Sequence, residues 1–284
     1  MAPGETPEEL ARRYERERRR VQSQLEDSLD HGGTGFRIGS VPHLNAAPLT
    51  RGLDEHTRFL PPVQLAEALR RDELDAALVS VTEVLLHDRY DVLDGVAVAS
   101  LGEVKSVFLA HRGPIEAIRE VKCDATSLTS VMLLRVLLAE RGLHPALHPL
   151  DPEGGGEPPD HLMLIGDAAL RFLHAPHDHT IWDLGTAWLE LTGLPFVYAV
   201  WALRRIPEQA ALCRLLREAR RFGLETLETL IAERTEFTPE FRRDYLGWHI
   251  HYHLGSDERR GLERFKDLLD KHGLGPVYPL RYLA

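Results

Sequence analysis

The sequence predicts an α/β protein built as two lobes, with a ligand cleft between them and a helical C-terminal tail. Three observations lead there. Short apolar runs alternate with amphipathic runs from Phe36 to His111, the rhythm of a mostly parallel sheet covered by helices. A second α/β cycle follows between Ser127 and Thr192, and a long apolar stretch, Pro195–Leu203, then returns ahead of the tail. At 284 residues the chain is about twice a modal domain, which suits two lobes joined by crossing strands.

The elements follow in order. Pro7-Glu8-Glu9 opens a charged helical pattern that closes at His31-Gly32-Gly33, with acids leading and bases following. Its few apolar positions, Leu10, Tyr14, Val21 and Leu25, predict a weakly docked helix. Arg37–Val41 reads as a buried strand, with a turn and a helix from Ala46-Ala47-Pro48. A second strand is expected near His56–Leu60, then an amphipathic helix from Val63 to Arg71. Asp75–Val79 is a third strand ending at Ser80, and Thr82 begins another helix. Val96–Ser100 and Ser106–His111 complete the first set of strands.

In the second cycle Ser127-Leu128-Thr129-Ser130 caps a nearly all-apolar, hence buried, helix that Gly142 stops. Asp151–Asp160, rich in glycine and proline, reads as a mobile surface loop. His161–Ile165 is a strand, Ala168–Leu173 a helix and Asp183–Thr192 another. The tail, Pro207–Ala284, is expected to be helical, with Thr238 and Ser256 as N-caps.

Composition excludes several classes. Lys and Arg total 34 against 44 Asp and Glu, a net charge of −10, which argues against nucleic acid as a partner. No run approaches the roughly 18 apolar residues of a membrane span. Two cysteines, Cys123 and Cys213, make neither a disulfide framework nor a cysteine zinc site. The opening residues carry no apolar secretory core, so a cytoplasmic location is expected. Nucleophile-elbow, Walker, dinucleotide and CxxC patterns are all missing.

In open α/β sheets a ligand lies beyond the carboxyl ends of the strands. The polar residues falling there are Asn45, Ser80, Ser106 and Asp167, joined by Ser127, Thr129 and Ser130 at a helix N-terminus whose free N–H groups suit an anion. Each has a structural alternative: Asn45 as a turn residue, Ser80, Ser127, Thr129, Ser130 or Asp167 as helix caps. Their convergence is what makes them a candidate carboxylate site. The histidine groups His174/His177/His179 and His249/His251/His253 lack a metalloenzyme spacing and read as surface or packing residues, so no metal is assigned.

Several blocks together resemble a known family. Ile38-Gly39-Ser40-Val41-Pro42-His43-Leu44-Asn45-Ala46-Ala47-Pro48-Leu49 resembles the opening motif of the chorismate dehydratases of futalosine-route menaquinone biosynthesis. Leu74–Ser80 with Glu83, Ser127–Ser130, Leu164–Leu170, Trp182–Gly185 with Trp188, Thr192–Trp201 and Ile250–Leu254 are similar to the same family. The likeness runs over about 36–275. It implies a type-2 periplasmic-binding-protein-like fold, with residues 1–35 an extension, 36–102 and 205–284 one lobe, and 103–204 the other. It also implies loss of water from chorismate, a dianion, to give 3-[(1-carboxyvinyl)oxy]benzoate, without metal or organic cofactor. A sister family forming 1,4-dihydroxy-6-naphthoate is expected to carry a histidine where this chain has Gly166-Asp167. A carboxylate-binding protein on the same fold is the other alternative.

Under this resemblance Asn45 matches the key asparagine and would hold the enolpyruvyl carboxylate or the leaving hydroxyl. Thr129 and Ser130, with their backbone N–H groups, would bind one carboxylate, and Ser80 and Ser106 the other or the ring hydroxyl. Asp167 would order its loop or bind substrate. His43 matters little if its side chain packs away from the cleft.

Overall fold

The computed structural model describes residues 12, 15–21, 23, 35–124, 126–150 and 157–284. The first half-lobe runs β1 (Ile38–Ser40), α1 (Ala47–Thr50), β2 (Thr57–Phe59), α2 (Pro62–Arg70), β3 (Ala76–Ser80), α3 (Val81–Leu86) and β4 (Tyr90–Ser100). The second lobe is β5 (Val107–His111), β6 (Glu120–Cys123), α4 (Leu128–Glu140), β7 (Ala146–Pro149), β8 (His161–Ile165), α5 (Gly166–His174), β9 (Thr180–Asp183) and α6 (Leu184–Thr192). The chain then returns through β10 (Phe196–Arg204) into α7 (Gln209–Glu225), α8 (Leu227–Glu233) and α9 (Pro239–Asp244). A π-turn at Tyr245–His249, α10 (Ser256–Lys271) and β11 (Tyr282–Leu283) complete it.

Two sheets result. One has six strands in the order β11-β4-β10-β3-β1-β2; the other has five, β7-β6-β8-β5-β9. Both are mixed rather than mostly parallel. β1 is parallel to β2 and β3, whereas β10 is antiparallel to β3 and β4. β6 is parallel to β7 and β8, whereas β5 is antiparallel to β8 and β9. A strand that comes back from the other lobe enters against the local direction, which a reading of successive βα units does not register.

The same pairing corrects the expected boundary at residue 204. β10 hydrogen-bonds between β3 and β4 in the first sheet, so the chain crosses back at Gly193–Pro195. It is held there by aromatic packing. Trp188 donates through Nε1 to Pro195 O at 3.1 Å, and Phe196 sits edge-on to Trp188, Tyr198 and Phe265 with centroids 4.8–5.1 Å apart. Helix α10 comes close enough that a Cβ on Gly261 would stand 2.2 Å from Pro195 O.

β6, β7 and β9 were not expected, because four-residue strands with charged or proline positions leave no clear alternation. The tail is mainly helical but ends in β11 beside β4. Thr238 caps α9 by accepting from Phe241 N at 3.2 Å. Ser256 is not the cap of α10: Gly255 is, its N–H donating to Glu258 Oε2 at 2.9 Å. Of the N-terminal helix, residues 15–21 are helical and Val21 is fully buried, with Arg20 paired to Glu218 and Arg221 to Glu17. That part docks on α7 more firmly than its sparse apolar pattern implied; Leu10, Tyr14, Leu25 and 24–34 lie outside the described residues. So do residues 151–156 of the expected surface loop.

Candidate active site

The carboxyl ends of β1, β3, β4 and β8 and the amino ends of the antiparallel strands β5 and β10 meet at one cavity of about 650 Å³, part of it open to solvent. The first sheet contributes Val41, His43 and Asn45 beyond β1, Leu78–Ser80 of β3, Val98 of β4 and Tyr198-Ala199 of β10. The second contributes Val104, Ser106 and Val107 at the crossing into β5, Ser127 and Ser130 at α4, and Ile165-Gly166 at the end of β8. Among the described residues that line it there is no lysine, arginine, aspartate or glutamate. The polar groups are hydroxyls, an amide and an imidazole on apolar walls, the pattern of a small-ligand pocket.

Three hydroxyls bridge the two lobes. Ser80 Oγ lies 3.2 Å from Ser127 Oγ, and Ser130 Oγ donates to Ser127 Oγ at 3.3 Å. Ser127 occupies the N-cap of α4 but its side chain caps nothing; it turns to its two serine neighbours instead. The first turn of α4 therefore keeps backbone N–H groups that no helical carbonyl takes. Ser80 stands at the N-cap of α3 but makes no side-chain cap, and Asn45 lies within the turn that follows β1.

Ser106 is 1% exposed, and its Oγ is enclosed without a hydrogen bond of full geometry. Beside it stands the Tyr245 hydroxyl, which also neighbours the Asn45 side chain. Burial raises the Tyr245 phenol well above its ordinary value despite these two neighbours, so it stays protonated. Tyr198, hydrogen-bonded to Ser100 Oγ at 3.1 Å, is raised in the same way by burial. The crossing segment is fixed by Asp183, whose carboxylate accepts from Thr186 N at 2.9 Å, Lys105 N at 2.9 Å and Val104 N at 3.2 Å. Burial nonetheless raises its pKa.

Two expected ligands turn their side chains elsewhere. Thr129 is fully buried, and its Oγ1 accepts from Thr82 N at 3.1 Å and pairs with Thr82 Oγ1 at 3.0 Å. It therefore caps α3 from across the cleft, because one step along α4 turns its side chain away from the face shared by Ser127 and Ser130. Asp167 does not line the cavity either. Its Oδ1 accepts from Leu44 N at 3.3 Å, tying the second lobe to the turn that carries Asn45.

His43 lines the cavity, so the condition under which it would matter little is not met. Its ring lies over Gly166, a left-handed residue (φ +55°) where a Cβ would come 3.3 Å from His43 Nδ1. Burial lowers the His43 pKa, against the pull of Asp167 and Asp124 and with a further lowering from Arg171. Sequence reading missed Tyr198 and Tyr245 as well. The first was present in the quoted Thr192–Trp201 block; the second, far along the tail, left no local signal.

The other candidate histidines divide between surface and core: His174, His177 and His253 are exposed, His179 and His249 buried. His179 Nε2 meets Pro159 O at 2.8 Å, and His177 stacks on Phe172 with centroids 4.7 Å apart. Among the described residues one group gathers possible metal ligands: His251, His253 and Glu258, with ligand atoms within 4.8 Å of one another. Glu258 is already engaged there, by Gly255 N and by His253 Nε2 at 3.1 Å.

The menaquinone biosynthesis family matches residues 36–271. A chorismate dehydratase of Thermus thermophilus is 37% identical over 273 residues, spanning 87% of this chain and 98% of that protein. Among solved structures, protein AF1704 of Archaeoglobus fulgidus is similar at a TM-score of 0.65 and 17% identity, covering 84% of this chain and 98% of that one. The periplasmic aliphatic sulphonate binding protein SsuA of Escherichia coli is similar at 0.54 and 16%, covering 88% and 93%. At such identities these two show the fold, which is periplasmic-binding-protein-like. Among the described residues no helix is long and apolar enough to cross a membrane.

Proposed function

The chain belongs to the menaquinone-biosynthesis family, and from that premise we propose that it is a hydro-lyase that converts chorismate to 3-[(1-carboxyvinyl)oxy]benzoate and water. The observation that carries the reading is the interlobe cavity, where Asn45, Ser80, Ser106, Ser127 and Ser130 converge without a charged side chain. Chorismate bears a ring hydrogen next to a hydroxyl-bearing carbon, and losing both as water makes a benzene ring. Aromatisation drives the reaction, so the protein has to orient the dianion, exclude water and support the departing charge.

The roles follow the geometry. Ser127, Ser130 and the free N–H groups opening α4 hold one carboxylate, as helix N-termini do. Asn45 holds the enolpyruvyl carboxylate or the leaving hydroxyl, with Tyr245 fixing its amide. Ser80 and Ser106 serve the remaining oxygen groups. The ring proton passes to the substrate's own enolpyruvyl carboxylate and from there to the departing hydroxyl, which leaves as water; this fits a cavity with no aspartate or glutamate among its described lining residues. The setting we propose is the cytoplasm, which suits two free, buried thiols.

Purified protein mixed with chorismate should yield an aromatic absorbance and a product lighter by one water; absence of both would overturn the reading. Asn45→Ala should keep its circular dichroism spectrum and lose about 10²-fold or more in kcat. Near-normal turnover would remove Asn45 from the mechanism.

A further inference from the structure

Two polar atoms on lining residues are enclosed without a hydrogen-bond partner, Ser106 Oγ and His43 Nε2. A buried polar atom left unpaired is costly, so in a binding cavity it marks a place where the ligand completes the pair. Ser106 at least has the Tyr245 hydroxyl beside it. His43 Nε2 has no such neighbour among its hydrogen-bonded contacts.

The rest of the ring is held. Nδ1 lies 4.0 Å from Asp167 Oδ2, and the imidazole rests on Gly166, where an added Cβ would crowd the ring at 3.3 Å. Asp167 is itself fixed by Leu44 N. At 4.0 Å the carboxylate is too far for a hydrogen bond, but its negative charge favours the tautomer with hydrogen on Nδ1, which leaves the lone pair on Nε2. The imidazole then presents an acceptor in a cavity whose other polar groups donate or do either. Chorismate, as a dianion, carries two carboxylates that only accept and a single hydroxyl that can donate.

We propose that His43 is a substrate-binding residue whose Nε2 accepts a hydrogen bond from the substrate's ring hydroxyl, with Asp167 as the positioning residue that selects its tautomer. The inference rests on the chorismate reading above. The hydroxyl so oriented keeps its lone pairs for the amide of Asn45, where negative charge grows as the bond to carbon breaks. Burial keeps the ring neutral at pH 7, and the charged groups acting on it are Asp167, Asp124 and Arg171.

The test compares kcat/KM against pH for the wild type, His43→Phe, His43→Gln and Asp167→Asn, with melting curves to check folding. His43→Phe keeps a flat ring without an acceptor and should lower kcat/KM about 10–100-fold. His43→Gln, with a carbonyl near the Nε2 position, should recover most of that loss. Asp167→Asn should fall between, since its amide oxygen still accepts from Leu44 N. Wild-type kcat/KM should decline on the acid side as the ring takes up a proton, and that limb should vanish in His43→Phe. Wild-type kinetics in His43→Phe, or an unchanged acid limb, overturns the role of His43. No aromatic product from the wild type instead overturns the parent reading, and this one with it.

Discussion

Gly166 ends β8 in the left-handed region, and the lack of a side chain there is what lets His43 lie against it from the other lobe. Gly166→Ala should cost about 1–2 kcal/mol of backbone strain and push the imidazole out of place. A melting curve together with kcat/KM would check it; unchanged values for both would mean that His43 does not depend on this contact. Residue identity at strand ends was readable: Asn45, Ser80, Ser106, Ser127 and Ser130 all reach the cavity. Side-chain direction was not. Thr129 and Ser130 are neighbours in sequence, yet one caps α3 and the other lines the cleft, a choice made by how α4 is rotated against its surroundings.

The first sheet is joined across three of its strands by one carboxylate. Asp75, just before β3, accepts from Arg37 N at 2.9 Å and Arg37 Nη2 at 2.6 Å on the β1 side, and from Arg204 Nη1 at 3.3 Å at the end of β10. Burial pushes its pKa up, but the Arg37 hydrogen bonds and the charges of Arg37 and Arg204 outweigh that and hold it below the usual range. A depressed carboxylate stabilises the fold fully above its unfolded value, about 3.9, and the contribution is lost as acidification carries the pH down through the folded value. Asp75→Asn should therefore cost about 1.5–3 kcal/mol at neutral pH and flatten the acid limb of stability. Urea melts at pH 7 and pH 3 would show it; equal losses at both would refute the linkage. Among elements, the long strands and amphipathic helices were legible from periodicity. β6, β7 and β9 were not, because a short strand is made by its neighbours' hydrogen bonds more than by its own residues.

At the scale of the molecule, three contacts close the lobes around the cavity: Ser80 with Ser127, Thr82 with Thr129, and Leu44 N with Asp167. All three involve the loops and helix starts that follow strands, so closure and ligand binding draw on the same surfaces. The aromatic product, bound in this cleft at a hundred times its Kd, should raise stability by about 2.7 kcal/mol. Thr129→Val leaves Thr82 N without its acceptor, and should lower the melting temperature of the free protein while that ligand-induced rise persists. A product that shifts no melting curve would place binding outside the cleft. The two-lobed plan was legible because two α/β cycles and a returning apolar run are local patterns repeated along the chain. The crossing point was not, since β10 joins the first sheet through pairing with strands about a hundred residues earlier.

By itself the sequence determined the longer strands and the amphipathic helices, and that most of the polar residues at their ends are neutral hydrogen-bonding groups. Those properties follow from periodicity and residue type, which act over a few neighbours. Only the tertiary structure decided that His43 turns inward, that Thr129 and Asp167 turn aside to fasten the lobes, and that the Tyr245 hydroxyl reaches Asn45 and Ser106 from the tail. Such choices depend on how distant elements rotate and pack until buried polar atoms find partners, and no local stretch of chain encodes that fit.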